Sequence, residues 1–183
     1  GSRAYNGTDG NFSAAQLTAG NIVNGDTVNL SGSAAVSSKN FGSYTSFSTN
    51  SLISSNGNYM VTGGTIGVNI TAATLTYNAN PASMIYGNSV PALSGTVTGF
   101  LGSDTQSNAT TGTLAFNTLA SNTSNVGSYL ISGSGLTANN GNYNFVQSNG
   151  NATALTITQR PLDFTGSRAY NGTDGNFSAA QLT

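Results

Sequence analysis

Residues 155–158 read Leu155-Thr156-Ile157-Thr158, and this alternation of apolar and polar side chains is typical of a β-strand with one buried face. A second stretch, Ile66-Gly67-Val68-Asn69-Ile70, alternates in the same way and is also followed by a threonine, Thr71. Further short runs of alternating or β-branched residues occur at Val28 and Leu30 with Val36, at Leu114-Ala115-Phe116, at Leu130-Ile131 and at Leu162-Asp163-Phe164. The chain is therefore predicted to be all-β, with many short strands.

Asn-Gly pairs separate these runs, and they begin at Asn6, Asn24, Asn56, Asn140, Asn149 and Asn171. Because this pair suits positive φ angles, it predicts tight turns of the type I′ hairpin class. No stretch shows a helical period with a charged face. Many short strands with regular turns are typical of a β-sandwich or a related all-β module.

The first 18 residues of the chain occur twice. Residues 1–18 read GSRAYNGTDGNFSAAQLT, and residues 166–183 repeat them letter for letter, so Gly166 begins a new copy 165 residues after Gly1. Self-similarity at a fixed period is the signature of repeat architectures. The simplest interpretation is one full unit followed by the start of the next, within a tandem array.

A weaker repeat lies inside the unit, with offsets of 78 to 87 residues. The matching pairs of segments are Asn40-Phe41-Gly42-Ser43-Tyr44 with Asn125-Val126-Gly127-Ser128-Tyr129, Asn56-Gly57-Asn58-Tyr59 with Asn140-Gly141-Asn142-Tyr143, Gly25-Asp26-Thr27 with Ser103-Asp104-Thr105, and Ile70-Thr71, Leu75 and Tyr77 with Ile157-Thr158, Leu162 and Phe164. Each unit is therefore predicted to contain two small β-sandwich-like modules, at residues 1–73 and 74–161, with residues 162–183 starting the next repeat.

The same motifs resemble two known domain families. Residues 1–71 resemble the YDG domain, and residues 74–158 resemble the MBG domain of the YGX type. The YDG motifs are Tyr5-Asn6-Gly7-Thr8, Gly25-Asp26-Thr27-Val28, Lys39-Asn40-Phe41-Gly42, Gly57-Asn58-Tyr59 and Val68-Asn69-Ile70-Thr71, with Asn6 where the family has its name-giving Asp. The MBG motifs are Tyr86-Gly87-Asn88, Gly99-Phe100, Ser103-Asp104-Thr105, Asn125-Val126-Gly127-Ser128-Tyr129, Asn142-Tyr143 and Leu155-Thr156-Ile157-Thr158. The resemblance implies tandem modules of very large secreted bacterial surface proteins, often adhesins.

The composition excludes several classes of function. Charged residues make up 5% of the chain, the net charge is −1, and His, Cys and Glu are absent. Histidine-based triads, cysteine nucleophiles and the usual zinc, haem and iron–sulfur ligands are thereby excluded. Four cationic residues are too few for a nucleic-acid footprint, and no apolar run is long enough for a membrane span. We expect no enzyme activity, no cofactor and no metal site.

Two sets of residues have alternative interpretations. The four tyrosines Tyr44, Tyr59, Tyr129 and Tyr143 either stack on sugar rings or anchor loops to a sandwich edge, with their hydroxyls bonded to the backbone. Asp26 and Asp104 either ligate calcium or close Asx-type turns.

The few cationic residues also have alternatives. Lys39 is either an isopeptide partner or a solvated loop residue. Arg3 and Asp9, which recur as Arg168 and Asp174, are expected to pair within one turn region or across the junction to a neighbouring unit.

The repeats predict a structural unit of a long fibre, filament or stalk, assembled head to tail, and the resemblance implies that this is an extracellular fibre or adhesin stalk on the bacterial cell surface. Two stacked modules give roughly 60–80 Å per unit, and a net charge near zero favours self-association with neighbouring repeats. Residues 166–183 are too few to form a module. They are predicted to occupy in the next unit the place of residues 1–18, either in a continuous chain or as a strand donated to a separate subunit. The alternative function is cell adhesion through a carbohydrate- or surface-binding module.

Overall fold

The computed structural model describes residues 1–62, 67–170, 172 and 175–182. Strands account for 38% of the described residues and helices for 10%, which confirms the all-β prediction. We call residues 1–71 the N-terminal half and residues 73–158 the C-terminal half. Ala72 alone separates the last strand of the first from the first strand of the second.

The strands are short in the N-terminal half and longer in the C-terminal half. Those of the N-terminal half are β1 (Ser2–Ala4), β2 (Asn11–Ser13), β3 (Leu30–Ser31), β4 (Ser33–Ala35), β5 (Gly42–Tyr44), β6 (Thr49–Asn50), β7 (Ile53–Ser54) and β8 (Val68–Thr71). Those of the C-terminal half are β9 (Ala73–Ala79), β10 (Ala82–Ile85), β11 (Gly95–Thr98), β12 (Thr110–Asn117), β13 (Gly127–Tyr129), β14 (Ser132–Ala138), β15 (Tyr143–Gln147) and β16 (Leu155–Thr158). One α-helical turn (Gln106–Ala109) and 3-10 turns at Ala14–Gln16, Asn139–Gly141, Asn149–Thr153 and Ala179–Gln181 complete the elements.

Each named sheet draws its strands from one half only. The N-terminal half contains the sheets β1-β8-β5, β2-β4-β6 and β3-β7, and the C-terminal half contains β10-β16-β13, β11-β9-β15 and β12-β14. Among the described strands, no two that follow one another in the chain pair with each other. The Asn-Gly turns that begin at Asn6, Asn24, Asn56, Asn140 and Asn149 therefore connect strands of different sheets, and the prediction of hairpins at these five pairs is wrong. Asn171 lies outside the described residues.

The sheets β1-β8-β5 and β10-β16-β13 are copies of each other. In each, the first strand runs parallel and the last antiparallel to the central strand. Ile70 pairs with Arg3 and Gly42, and Ile157 pairs in the same way with Met84 and Gly127. The internal repeat seen in the sequence is thus a repeat of strand order, direction and register.

The correspondence between these two sheets extends to the residue that follows the first strand of each. The N–H of Tyr5 donates to the Thr71 carbonyl at 2.8 Å, and the N–H of Tyr86 donates to the Thr158 carbonyl at 2.9 Å. Tyr5 and Tyr86 therefore hold equivalent positions, although their sequence contexts differ. The sheet β11-β9-β15, in contrast, has no counterpart among the described residues of the N-terminal half.

The buried apolar side chains of the described residues, apart from Ala34, form one connected cluster that includes residues of both halves. It contains Tyr5, Phe12 and Ile70 from the N-terminal half and, among others, Leu75 and Ile157 from the C-terminal half. The alternation of apolar and polar residues along the strands accounts for this burial. In β8, for example, Val68 and Ile70 are buried, whereas Asn69 and Thr71 are exposed.

Two predicted strands are not formed. Leu130-Ile131 is instead the connection between β13 and β14, where Ile131 is fully buried and its N–H donates to the Asn151 carbonyl at 2.9 Å, while Leu130 is exposed. Leu162-Asp163-Phe164 lies outside any strand, because no described strand pairs with it. Leu162 and Phe164 remain 74% and 63% exposed.

The predicted strand at residues 66–70 is formed in part. Ile66 lies outside the described residues, and β8 begins at Val68.

Candidate functional site

Two tyrosines at equivalent positions anchor the loops before β5 and β13. The hydroxyl of Tyr44 donates to the Asn40 carbonyl at 2.7 Å, and the hydroxyl of Tyr129 donates to the Asn125 carbonyl at 2.7 Å. A tyrosine hydroxyl bonded to the backbone a few residues upstream is the tyrosine-corner arrangement of β-sandwiches. Both contacts are those that the anchoring interpretation predicts.

Replacing either corner tyrosine with phenylalanine is expected to lower the free energy of unfolding by about 1 kcal/mol, because each change leaves a backbone carbonyl without its partner. Urea unfolding of Tyr44→Phe and Tyr129→Phe measures this loss. The control is Tyr170→Phe, since Tyr170 is 92% exposed. If all three variants unfold at the same urea concentration as the parent chain, the corner contacts contribute nothing.

The other two tyrosines each bind an aspartate in their own half. The Tyr143 hydroxyl donates to Oδ2 of Asp104 at 2.7 Å and accepts the Leu101 N–H at 3.0 Å. The Tyr59 hydroxyl donates to Oδ2 of Asp26 at 2.7 Å and accepts the Val23 N–H at 2.9 Å. We call each set a tyrosine–aspartate latch. Both carboxylates thus receive a tyrosine hydroxyl, a role different from the calcium ligand and from the Asx-type turn that the sequence suggested.

The latch at Asp104 also joins the two halves of the chain. The Tyr5 hydroxyl donates to the same Asp104 oxygen at 2.9 Å. The Tyr5 ring meets the edge of the Tyr143 ring, with centroids 5.3 Å apart and planes at 80°. Both tyrosines are buried. One carboxylate oxygen therefore holds two buried hydroxyls, one from each half.

A second set of hydrogen bonds between the halves centres on the buried Asn142. Its Oδ1 accepts the Phe41 N–H at 2.7 Å, and its Nδ2 donates to Oδ1 of Asn40 at 3.0 Å. Gly7 packs against the backbone at Leu101, where a Cβ atom would clash with the carbonyl oxygen, and its φ of 77° also favours glycine. We refer to these contacts, together with those of Tyr5 and Asp104, as the junction.

Lys39 supports the junction from the N-terminal half. Its ammonium donates to the Gly7 carbonyl at 2.9 Å and lies 6.0 Å from the centroid of the Tyr5 ring. The side chain is half-buried. This placement differs from both sequence interpretations, the isopeptide partner and the solvated loop residue.

Burial and the Asp104 carboxylate both favour the protonated forms of the junction tyrosines. Burial raises the pKa of Tyr143 to about 12, and the hydrogen bond to Asp104 adds to the shift. The pKa of Tyr5 is raised further by the same two causes. At Tyr59 the hydrogen bond to Asp26 is the main cause of a raised pKa. Neutral hydroxyls therefore keep donating to carboxylates throughout the physiological pH range.

These shifts predict a loss of stability in alkali. Since the folded-state pKa values of Tyr5 and Tyr143 lie above the ordinary value, the stabilisation is complete below about pH 10 and is lost as the pH rises toward the folded-state values. The free energy of unfolding falls by at most about 1.4 kcal/mol per pH unit for each tyrosine. Thermal melting across this range should show a shallower decline for Tyr143→Phe than for the parent chain. Identical slopes in the two chains would contradict the assignment.

Arg3 and Asp9 pair within one turn region, which is one of the two expected arrangements. A guanidinium nitrogen of Arg3 lies 3.8 Å from Oδ1 of Asp9, and the guanidinium lies 5.2 Å from the centroid of the Phe12 ring. The Asn11 N–H that donates to Asp9 lowers the pKa of this carboxyl, with smaller contributions from other neighbours, including Arg3. Asp174, the counterpart of Asp9, lies outside the described residues.

Residues 178–182 reproduce the local structure of residues 13–17. The Ser13 N–H donates to Oε1 of Gln16 at 2.8 Å, and the Ser178 N–H donates to Oε1 of Gln181 at 2.8 Å. Each pair caps a 3-10 turn. The environments of the two copies differ, however, because Tyr170 is 92% exposed and Tyr5 only 2%. The second copy thus forms the same turn without the packing that buries the first.

In the described part of the chain, no three acidic side chains come close enough together to hold a metal ion. None of the helices formed by the described residues has the length and apolar character needed to cross a membrane.

Sequence reasoning did not single out Tyr5 and Asn142 as junction residues. A signal existed for Asn142, because the pair Asn142-Tyr143 recurs as Asn58-Tyr59. For Tyr5 the signal is weaker, since its equivalence to Tyr86 emerges only from the register of β1 and β10.

Comparison with known proteins gives a family match for part of the chain. Residues 75–153 match the MBG domain (YGX type), which supports the second half of the resemblance seen in the sequence; no YDG match accompanies it. No curated protein and no solved structure shows a significant match. The C-terminal half of this chain, including Asp104 and Tyr143, is thus similar to the MBG domain of the YGX type.

Proposed function

We propose that this chain is the repeat unit of a long extracellular fibre or adhesin stalk on a bacterial cell surface, with the units following one another head to tail. The observation that carries the proposal is the exact recurrence of residues 1–18 at 166–183, together with the capped turn that both copies form. An array built on this period contains two modules per unit, residues 1–73 and 74–161.

The junction supports a stiff rather than a flexible array. Between β8 and β9 only Ala72 intervenes, and the hydrogen bonds of Asp104 and Asn142 fix one half against the other. A flexible linker would consist of several small polar residues without such contacts. Nearest-neighbour contacts of this kind make the stability of a repeat array a sum over units and junctions.

The similarity of residues 75–153 to the MBG domain supports the extracellular location, and the composition supports close spacing of the units. MBG domains occur in surface and adhesin-type repeat proteins. With a net charge of −1 and 5% charged residues, the chain has little long-range repulsion between neighbouring units. Both features suit a structural stalk whose units lie close together.

The fibre proposal is tested by the length of tandem chains. We expect the largest dimension measured by solution X-ray scattering to grow by a constant increment of roughly 60–80 Å with each added copy of residues 1–165. A matched control carries a Gly-Ser linker between copies and should show a broader distribution of distances. Tandem chains that scatter as independent, freely jointed units, with or without the linker, would contradict the proposal.

The alternative, a carbohydrate- or surface-binding module, would be favoured by a cluster of exposed tyrosines or by a flat, exposed threonine ladder on one sheet. The hydroxyls of all four candidate tyrosines are held in hydrogen bonds to the protein, and Tyr143 is buried. No contact of these tyrosines favours sugar binding over the structural role.

A further inference from the structure

The N-terminal half contains a groove of about 500 Å³. Its lining includes two backbone segments, residues 17–22 and residues 59–62, together with Gly1. Apolar side chains such as Phe47 and Val61 contribute to the lining. Two segments of the chain and several apolar side chains therefore border the space that an occupant would fill.

The two segments correspond to β11 and β15 of the C-terminal half. The tyrosine–aspartate latches supply this alignment, because Asp26 matches Asp104 and Tyr59 matches Tyr143 with the same hydrogen-bond partners. Residues 17–20 then align with Gly95–Thr98, and residues 59–62 align with the first four residues of Tyr143–Gln147.

In the C-terminal half a strand fills the corresponding space. The central strand β9 lies antiparallel to β11 and parallel to β15, and it buries Leu75 and Tyr77. The groove is thus the N-terminal counterpart of the position that β9 occupies.

The chain carries one sequence that matches β9, at residues 160–165. Aligning Ile157-Thr158 with Ile70-Thr71 places Leu162 at the position of Leu75 and Phe164 at the position of Tyr77. Both side chains are largely exposed, whereas their counterparts are buried. Proline is tolerated at the first residue of a strand, so the hydrogen-bonded part of the segment begins at Pro161, directly before Leu162.

Because the chain is continuous, residues 160–165 end beside the start of the following unit. Thr165 directly precedes Gly166, which starts the sequence identical to that beginning at Gly1, and Gly1 lines the groove. In a tandem array, residue 165 of one unit therefore lies next to the groove of the following unit.

We propose that residues 160–165 of the preceding copy fill the groove as its central strand. This assignment rests on the head-to-tail array proposed above and names the contact that joins its units. The pairing Val97 with Tyr77 predicts Ala19 opposite Phe164, and the pairing Phe145 with Leu75 predicts Val61 opposite Leu162.

A second contact follows from the equivalence of Tyr5 and Tyr86. Within the chain, Tyr5 donates to Asp104 of the following half. By the same geometry, Tyr86 of one unit donates to Asp26 of the next. Arg160 holds the start of the donated segment beside Tyr86, because its Nε donates to the Tyr86 carbonyl at 2.8 Å. The junction between units thereby repeats the junction inside the unit.

The test extends the full 183-residue chain by the six residues Arg-Pro-Leu-Asp-Phe-Thr ahead of Gly1. We expect the melting temperature to rise by about 5 °C or more and amide hydrogen exchange at residues 17–21 and 59–62 to slow. The matched control replaces the Leu and the Phe of the extension with Asp and should behave as the unextended chain. If the two extended chains melt together and exchange equally, the strand does not fill the groove and the proposal is overturned.

The extension experiment and the length measurement on tandem chains together distinguish the groove assignment from the fibre proposal. Stabilisation by the extension, in tandem chains that do not lengthen by a constant increment, would support the groove assignment and reject the fibre. Constant lengthening without stabilisation by the extension would retain the fibre and reject the groove assignment. The Tyr86 contact has its own readout, because Tyr86→Phe in the first of two copies should lower the melting temperature, whereas the same change in the last copy should not. Equal effects in both positions would overturn that contact.

Discussion

Replacing Asp104 with Ala is expected to lower the free energy of unfolding by about 3 kcal/mol, since two hydroxyls lose a charged acceptor and each such bond contributes about 1.5–3 kcal/mol. Both donors, Tyr5 and Tyr143, are buried, so water cannot replace the carboxylate without opening the junction. Chemical unfolding monitored by circular dichroism measures the loss.

Asp26→Ala is the matched control for this prediction. Asp26 accepts one tyrosine hydroxyl, that of Tyr59, from the described part of the chain, and Tyr59 is only half-buried beside the groove. Water therefore takes over part of the lost contact, and we expect a loss of about 1 kcal/mol. Equal losses for the two aspartates would show that the contact with Tyr5 contributes nothing across the junction.

The second large effect is expected from leucines at equivalent repeat positions. Leu75→Ala removes a fully buried side chain from the central strand β9 and should cost about 3 kcal/mol, within the range for buried leucines. Leu162→Ala changes the matching residue, which is mostly exposed in the single chain, and should alter the free energy of unfolding by less than about 0.5 kcal/mol. Urea unfolding of both variants makes the comparison.

This pair of variants also tests how residues 160–165 behave without a neighbouring unit. A large loss for Leu162→Ala in the single chain would mean that the segment already packs against its own chain. Such packing would contradict both the exposure of Leu162 and its availability to another unit.

The sequence allowed the strand class and the duplication to be predicted because both depend on local patterns. Alternation at Val68-Asn69-Ile70-Thr71 and at Leu155-Thr156-Ile157-Thr158 specifies strands with one buried face, and the structure forms β8 and β16 there. The tyrosine corners were also accessible, since Tyr44 and Tyr129 follow the same short motif and contact a residue only four positions upstream.

These local patterns do not predict which strands pair with each other. An Asn-Gly pair specifies a backbone turn, but it does not determine which strands then pair, and the sheets of this fold connect strands that are distant in sequence. Leu162-Asp163-Phe164 shows that a strand-like pattern alone does not produce a strand. Its pattern is that of a strand, yet a strand needs a hydrogen-bonding neighbour, and the described chain provides none at that place.

The junction was missed for a related reason. The partners Tyr5 and Asp104 are 99 residues apart. The sequence around Tyr5 is typical of a turn, and Asp104 alone is explained as a carboxylate that closes a turn. Only the three-dimensional arrangement shows that one oxygen of Asp104 receives two hydroxyls. The equivalence of Tyr5 and Tyr86, which extends this contact to the next unit, likewise depends on the register of the sheets.

A crystal structure of a chain containing two consecutive copies of residues 1–165 tests the central claim most directly. The account predicts that residues 160–165 of the first copy form a strand between residues 17–21 and residues 59–62 of the second copy, with Leu162 and Phe164 buried there and Tyr86 bonded to Asp26. A structure in which residues 160–165 cross solvent as an unpaired linker, with the groove of the second copy open, would contradict it.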